Sequence, residues 1–246
     1  MMFPFQDIKH GRFYLGDCLE VMKEIPDGVI DMILCDLPYG TTQNKWDSIV
    51  DLILLWEQYW RIAKPNTAIV LTAQTPFDKV LGVSNIANLK YEWIWEKVEA
   101  TGHLNAKKMP MKAHENILVF YKNLPIYNPI MTDGKMVKMV KNQDNASSNY
   151  GEQKATNYES DKRYPRSVQL IAKDNKNKKL HPTQKPVALF EYLIKTYTNE
   201  GELVLDNCAG SGTTAIACEN TNRKWVCVEQ LEEYYSKAID RIKNHE

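Results

Sequence analysis

Two hydrophobic rhythms alternate along this chain. One consists of short apolar runs: Arg12 to Leu15, Ile30 to Cys35, Ala68 to Leu71, Tyr91 to Trp95, His114 to Phe120, Leu203 to Asp206 and Lys224 to Glu229. Runs this short, bounded by glycine, proline or polar residues, predict buried strands. The other rhythm has apolar residues recurring every three or four positions, as at Ile49, Leu52, Ile53, Trp56, Tyr59 and Trp60. It predicts helices over Leu19–Ile25, Ile49–Ala63, Phe77–Asn88, Val187–Tyr197, Ala215–Asn220 and Leu231–Ile242. Pro26-Asp27-Gly28 and Lys64-Pro65-Asn66 end the first two, and Pro186 opens the fourth. Helices alternating with short strands predict an α/β fold, doubly wound around a mostly parallel sheet.

Between Met131 and Pro186 both rhythms fade. This stretch is polar and rich in Asn, Lys and Ser, and it is expected to be irregular. It carries twelve lysines and arginines against six acids. The whole chain has 31 of each sign, so the remainder carries the opposite excess. With Tyr150, Tyr158 and Tyr164 interspersed, the stretch suits contact with a phosphate backbone and bases, and it suits equally a solvated insertion. The chain therefore divides into 1–130, an inserted 131–180 and 181–246, the outer parts forming one domain. At 246 residues a full core is within reach. Five cysteines without a Cys-x-x-Cys pair point to reduced thiols in the cytoplasm and to no metal site. No signal peptide is read at the N-terminus, and no run approaches the ~18 apolar residues of a membrane span.

Candidate chemistry gathers where predicted strands end, which is where ligands bind in open α/β sheets. After Cys35 comes Asp36-Leu37-Pro38-Tyr39-Gly40. Pro38 stops the strand and stiffens the loop. The Asp36 carboxylate and neighbouring carbonyls can accept from an amino group, and Tyr39 can stack on a flat ring. Alone, the tetrapeptide reads as an acidic strand end with a proline turn. A second constellation is Asp206-Asn207-Cys208-Ala209-Gly210-Ser211-Gly212-Thr213, followed by a helix and then Glu229 at the end of the next strand. This is a mononucleotide-binding half, in which glycines admit a ligand to the backbone and the acid can bond ribose hydroxyls. A nicotinamide-dependent oxidoreductase shares this geometry. Asp206 argues against it, because a carboxylate beside the loop repels a pyrophosphate and suits a cationic cofactor.

Together these residues resemble the amino-group DNA methyltransferases that use S-adenosyl-L-methionine. The family's Asp-Pro-Pro-Tyr motif is matched by Asp36-Leu37-Pro38-Tyr39, and its Phe-x-Gly-x-Gly motif by Cys208-Ala209-Gly210-Ser211-Gly212. Gly16-Asp17-Cys18-Leu19, His114-Glu115-Asn116 and His181-Pro182-Thr183-Gln184-Lys185-Pro186 also match. The catalytic motif precedes the cofactor motif, as in the beta class. Leu37 departs from the motif and is expected to loosen the loop, and Cys208 removes an aromatic surface. The resemblance implies a Rossmann-like methyltransferase fold and a catalytic group of Asp36, Leu37, Pro38 and Tyr39. It implies cofactor contacts from Asp17, Cys18, Lys185, Asp206, Cys208, Gly210, Ser211, Gly212, Thr213 and Glu229. The 131–180 segment would be the target-recognition region, with DNA contacts from Lys135, Lys138, Lys141, Arg163 and Arg166. Arg166 has an alternative role as an internal brace. The implied reaction is methyl transfer to N6 of a flipped adenine in double-stranded DNA. Cytosine N4 is the alternative target, and a DNA-binding module without catalysis is a further one. A bacterial or phage origin and a homodimer belong to the same expectation, as does restriction-modification, with the enzyme either solitary or paired with a restriction enzyme.

Overall fold

The structure, a computed structural model, describes residues 3–40, 49–141, 145–147, 151–153, 156–174 and 184–245. Residues 41–48 and the His181-Pro182-Thr183 triplet lie outside them. The chain opens with the antiparallel pair β1 (Phe5–Ile8) and β2 (Gly11–Leu15). Helix α1 (Cys18–Glu24) follows, then β3 (Ile30–Cys35), α2 (Leu52–Ile62), β4 (Ala63–Ala73), α3 (Phe77–Ser84), β5 (Leu89–Thr101) and β6 (Lys112–Phe120). Next come four strands, β7 (Thr132–Lys141), β8 (Asn145–Ser147), β9 (Gly151–Gln153) and β10 (Thr156–Arg163), and then β11 (Val168–Ile171). The chain closes with α4 (Val187–Tyr197), β12 (Leu203–Asp206), α5 (Thr213–Asn220), β13 (Lys224–Glu229) and α6 (Glu232–Lys243).

Nine strands form one sheet in the order β1-β2-β13-β12-β3-β4-β6-β5-β11. Five of its eight pairings are parallel. Its interior strands read as continuous apolar runs because both faces are covered. On β3, Met32 and Leu34 face a core built with α4, α5 and α6. Ile30, Ile33 and Cys35 face a second core built with α1, α2 and α3. Asp51 caps α2 through Ile53 and Leu54 N–H, so this helix starts three residues later than its apolar period. Pro65 does not separate α2 from β4. The strand begins directly at Ala63, and the proline sits at a register shift opposite Ile30–Met32, where its missing N–H costs no ladder bond.

Residues 1–128 and 167–246 form one compact unit, and 129–166 a second. The second unit is not irregular, as its sequence led us to expect. Strands β7 and β10 pair antiparallel from Thr132↔Arg163 to Lys141↔Thr156, and β8 pairs with β9. The described residues of the long ribbon are almost all exposed, so no buried face imposes a two-residue period on its sequence. Strand β11 comes from the same polar stretch but belongs to the main sheet, parallel to β5. It is four residues long at an edge with Leu170 65% exposed, and leaves little signal.

Candidate active site

Strand pairing assembles one end of the site. Cys35 lies opposite Leu71 on β4, so Asp36 and Thr72 emerge side by side. Thr72 in turn pairs with Ile117 on β6, two residues after Glu115, which sits opposite Trp95 on β5. The Thr72 hydroxyl donates to Asp36 Oδ1. Tyr39, returned by the Pro38 turn, donates to the same oxygen at 2.6 Å. Lys185, just ahead of α4, donates from Nζ to Asp36 Oδ2 at 2.6 Å. Leu37 was expected to loosen this loop. The residue is 2% exposed and packs into the core beneath the turn. The Tyr39 ring stacks on Phe77, with centroids 5.4 Å apart.

Behind Asp36 runs a chain of alternating charge. Lys185 Nζ lies 3.3 Å from Glu115 Oε2, and Glu115 Oε1 is 2.5 Å from Lys97 Nζ. These three side chains are between 3% and 6% exposed. Burial works against the Lys185 ammonium, yet Asp36, Tyr39 and Glu115 raise its pKa well above the usual range. Burial pushes the Glu115 carboxyl up, but Lys185 and Lys97 outweigh it and hold it below its ordinary value. Charges buried to this degree persist only when paired on each side. Our sequence reading gave no role to Thr72, Lys97 or Glu115. The available signals were the His114-Glu115-Asn116 match and a charged residue, Glu115, two positions ahead of the apolar run Ile117-Leu118-Val119-Phe120.

The neighbouring strand ends supply the other half. Strand β12 lies between β3 and β13, which brings Asp206 and Glu229 to the same edge as Asp36. Asp206 is buried, and burial pushes its pKa up to about 6. Its Oδ1 accepts from Cys208 N at 3.1 Å, and its Oδ2 accepts from the Thr214 hydroxyl. Glu229 Oε2 accepts from Gly210 N at 3.0 Å, and Oε1 from Leu231 N at 2.8 Å. Both acids therefore brace the loop. Gly210 and Gly212 have φ of 51° and 74°, which only glycine adopts without strain. A Cβ at Gly212 would stand 3.2 Å from Ile242 and 3.3 Å from Ala238, so this glycine also lets α6 pack against the turn. Arg241 of α6, absent from the sequence reading, donates to Ser211 O at 3.0 Å and to Thr213 Oγ1 at 3.2 Å. Asp17 Oδ1 caps α1 through Leu19 N and Glu20 N.

These pieces surround one cavity of about 710 Å³. Asp36, Leu37, Pro38 and Tyr39 line it, as does every residue expected to touch the cofactor except Gly212. Asp17, Asp206 and Glu229 give this cavity three carboxyl groups and Cys18 and Cys208 two thiols. Around the glycine turn this part of the lining suits a cation and hydroxyl groups rather than a pyrophosphate, while Lys97, Lys112, Lys173 and Lys185 line the cavity as well. The group expected here, a sulfonium bearing an adenosine and an amino-acid tail, fits that donor set.

The residues expected to touch DNA lie elsewhere, in the second unit. Arg163 does not present a free guanidinium there. It donates to Lys162 O at 2.9 Å, to Ser160 O at 3.3 Å and to Lys135 O, bracing the ribbon across Gly134. Lys135 is exposed, and Lys138 pairs with Glu159 at 2.8 Å on the surface. Arg166 closes the unit, and the side chain of Lys141 lies outside the described residues.

Comparison with known proteins agrees with this geometry. The DNA methylase family matches residues 30–240. The type II methyltransferase M.HpaI of Haemophilus parainfluenzae is 27% identical over 94% of this chain and 74% of its own length. The DNA adenine methyltransferase YhdJ of Escherichia coli is 28% identical over 92% of this chain and 81% of its own. Among solved structures, the complex of M1.HpyAVI with SAM superposes with a TM-score of 0.66 at 24% identity, covering 94% of this chain and 98% of that one. The cytosine-N4-specific PvuII DNA methyltransferase superposes at 0.71 with 17% identity, over 97% and 94% of the two chains. With a family match across most of its length, on residues that converge on one cavity, the chain belongs to the N6/N4 amino DNA methylases.

Proposed function

We propose that this protein transfers a methyl group from S-adenosyl-L-methionine to the exocyclic N6 of adenine in double-stranded DNA. Family membership carries the reaction class and the methyl donor. One observation supports these particular residues as the site. Asp36 and Asp206 are 170 positions apart in sequence, yet they open onto the same cavity with Glu229. When bound, the cofactor supplies an electrophilic methyl carbon on a sulfonium.

An exocyclic amine is a poor nucleophile because its lone pair is delocalised into the ring. Asp36 and the Leu37 carbonyl would each accept one of its N–H groups, turning the lone pair out of the ring plane. These acceptors are fixed in advance where positive charge develops, which is the most effective form of electrostatic catalysis. Holding nitrogen and methyl in line adds an orientational contribution. Asp36 is also placed to receive the proton that the methylated nitrogen sheds. The target atom is stacked inside a duplex, so the base must be flipped, with Tyr39 as its stacking surface. On the cofactor side, Asp17 is assigned to the adenine amine and Glu229 to the ribose. Asp206 and the Gly210–Gly212 loop are assigned to the methionine portion. Lys135, Lys138 and Arg166 of the second unit are assigned to DNA.

Two things favour adenine over cytosine. An acid at the first motif position, here Asp36, is commoner among adenine enzymes of the family, and the relative YhdJ is named an adenine methyltransferase. DNA incubated with the protein and labelled cofactor, then digested to nucleosides and resolved by mass, should contain N6-methyladenine. N4-methylcytosine in its place would transfer the proposal to cytosine. Tight binding of NAD with none of S-adenosylmethionine would end it.

A further inference from the structure

The proposed chemistry needs Asp36 Oδ2 as an acceptor for the incoming amine, yet that oxygen already holds the Lys185 ammonium at 2.6 Å. The other oxygen accepts from Thr72 and Tyr39. With Lys185 in place the Asp36 charge is already neutralised, so an incoming amine competes with the ammonium for this carboxylate. Among the described residues Glu115 Oε2 is buried and has no well-directed hydrogen bond, although it stands 3.3 Å from Lys185 Nζ. Its partner oxygen is satisfied by Lys97. Buried acceptors are rarely left without a donor. This one faces an ammonium that a shift of about half an ångström would bring to charge-assisted hydrogen-bond length.

We propose that Lys185 is a two-position ammonium: it holds the place of the target amine on Asp36, and it moves onto Glu115 when that amine arrives. Glu115 is the positioning residue that receives it, and Lys97 keeps Glu115 charged. The inference rests on the methyl-transfer reading above. Its physical consequence is a switch in where negative charge is available. With Lys185 on Asp36 the carboxylate is neutralised. With Lys185 on Glu115, the Asp36 charge faces the nitrogen as that nitrogen becomes cationic, and little reorganisation is needed because both acceptors are preformed. The arrangement also selects the target's chemistry. An N–H donor can replace the ammonium on Oδ2, whereas a carbonyl edge would set two acceptors against each other. Keto bases are thereby disfavoured at the pocket.

Single-turnover methyl transfer with saturating cofactor and DNA tests this. Glu115→Gln removes the receiving charge but keeps the shape. It should slow transfer about tenfold or more while the affinities for S-adenosylmethionine and DNA stay near wild type. Adding Lys185→Met to that variant removes the place-holder, and the double variant should recover about tenfold relative to Glu115→Gln. A merely structural Glu115 predicts a double variant at or below the slower single one, and that result would overturn the proposal. If Glu115→Gln fails to bind cofactor, the cycle is run on Glu115→Asp, which keeps the charge but withdraws it from Lys185 by one methylene; a smaller slowing, again relieved by Lys185→Met, is expected, and its absence counts equally against the idea. A wild-type protein that methylates no DNA would instead defeat the methyl-transfer reading itself.

Discussion

Asp36 and Asp206 are both acids at strand ends, but their surroundings give them opposite tasks. Asp36 is one-fifth exposed and held by Thr72, Tyr39 and Lys185, ready to accept from a substrate. Asp36→Ala should lower the single-turnover rate about 10²–10³-fold, the usual cost of losing a preorganised acceptor, with cofactor affinity retained. An unchanged rate would refute the mechanism. Asp206 is buried with its pKa pushed up to about 6, against 3.8 for a free side chain. Because the folded value is the higher one, the native state binds the extra proton between those values. The resulting destabilisation is fully present above about pH 6 and disappears below pH 4. A shift of this size corresponds to a penalty on the order of 3 kcal/mol at pH 7. Asp206→Asn, which preserves the bond from Cys208 N, should therefore raise stability in urea melts at pH 7. That advantage should shrink toward pH 4, and cofactor affinity should drop. A pH-independent gap would mean the carboxyl is not strained by burial. Both acids were legible in the sequence, because an acid directly after an apolar run is conspicuous. Thr72 and Lys97 were not, since a threonine or lysine in a strand announces nothing until register places it beside a partner.

Among the elements, the turn before α5 depends most on a single residue. Gly212 combines a φ of 74° with close packing under Ile242 and Ala238 of α6. Gly212→Ala should cost about 1–2 kcal/mol from the left-handed backbone alone. Crowding against α6 adds to this and displaces the first turn of α5. Thermal melts should fall by several degrees (about 2–4 °C per kcal/mol for a chain of this size), and the Kd for S-adenosylmethionine should rise. A variant with wild-type melting and affinity would show that the turn tolerates a side chain. The same motif shows how far sequence reading reaches at this scale. The strand–glycine–helix unit was plain because each of its parts is local. The start of β4 was missed because Pro65 usually separates elements, and a register shift opposite Ile30–Met32 let the strand run through it. The β7–β10 ribbon was missed because its long pairing leaves both faces in water, so nothing in the hydrophobic pattern records it.

For the molecule as a whole, the order of parts was readable: a catalytic motif, a basic segment, then a cofactor motif. Formal charge balances over the chain, but the basic excess of the middle segment gives it its proposed purpose. DNA affinity should therefore fall steeply with salt, by about 0.9 in log K per log unit of salt for each phosphate neutralised. Side chains of the second unit should differ in what they contribute. Lys135 is exposed, and Lys138 is tied only by a surface pair with Glu159, which is worth little and is easily exchanged for a phosphate. Replacing both by alanine should flatten the salt slope by about one for each phosphate that is no longer neutralised, and weaken binding to all sequences alike. Arg163 is spent on backbone carbonyls of the ribbon. Arg163→Ala should therefore lower the ribbon's protection from amide hydrogen exchange and weaken binding at low and high salt alike. If the lysine variants leave the slope unchanged, or if Arg163→Ala flattens it without loosening the ribbon, the phosphate-binding role has been assigned to the wrong side chains.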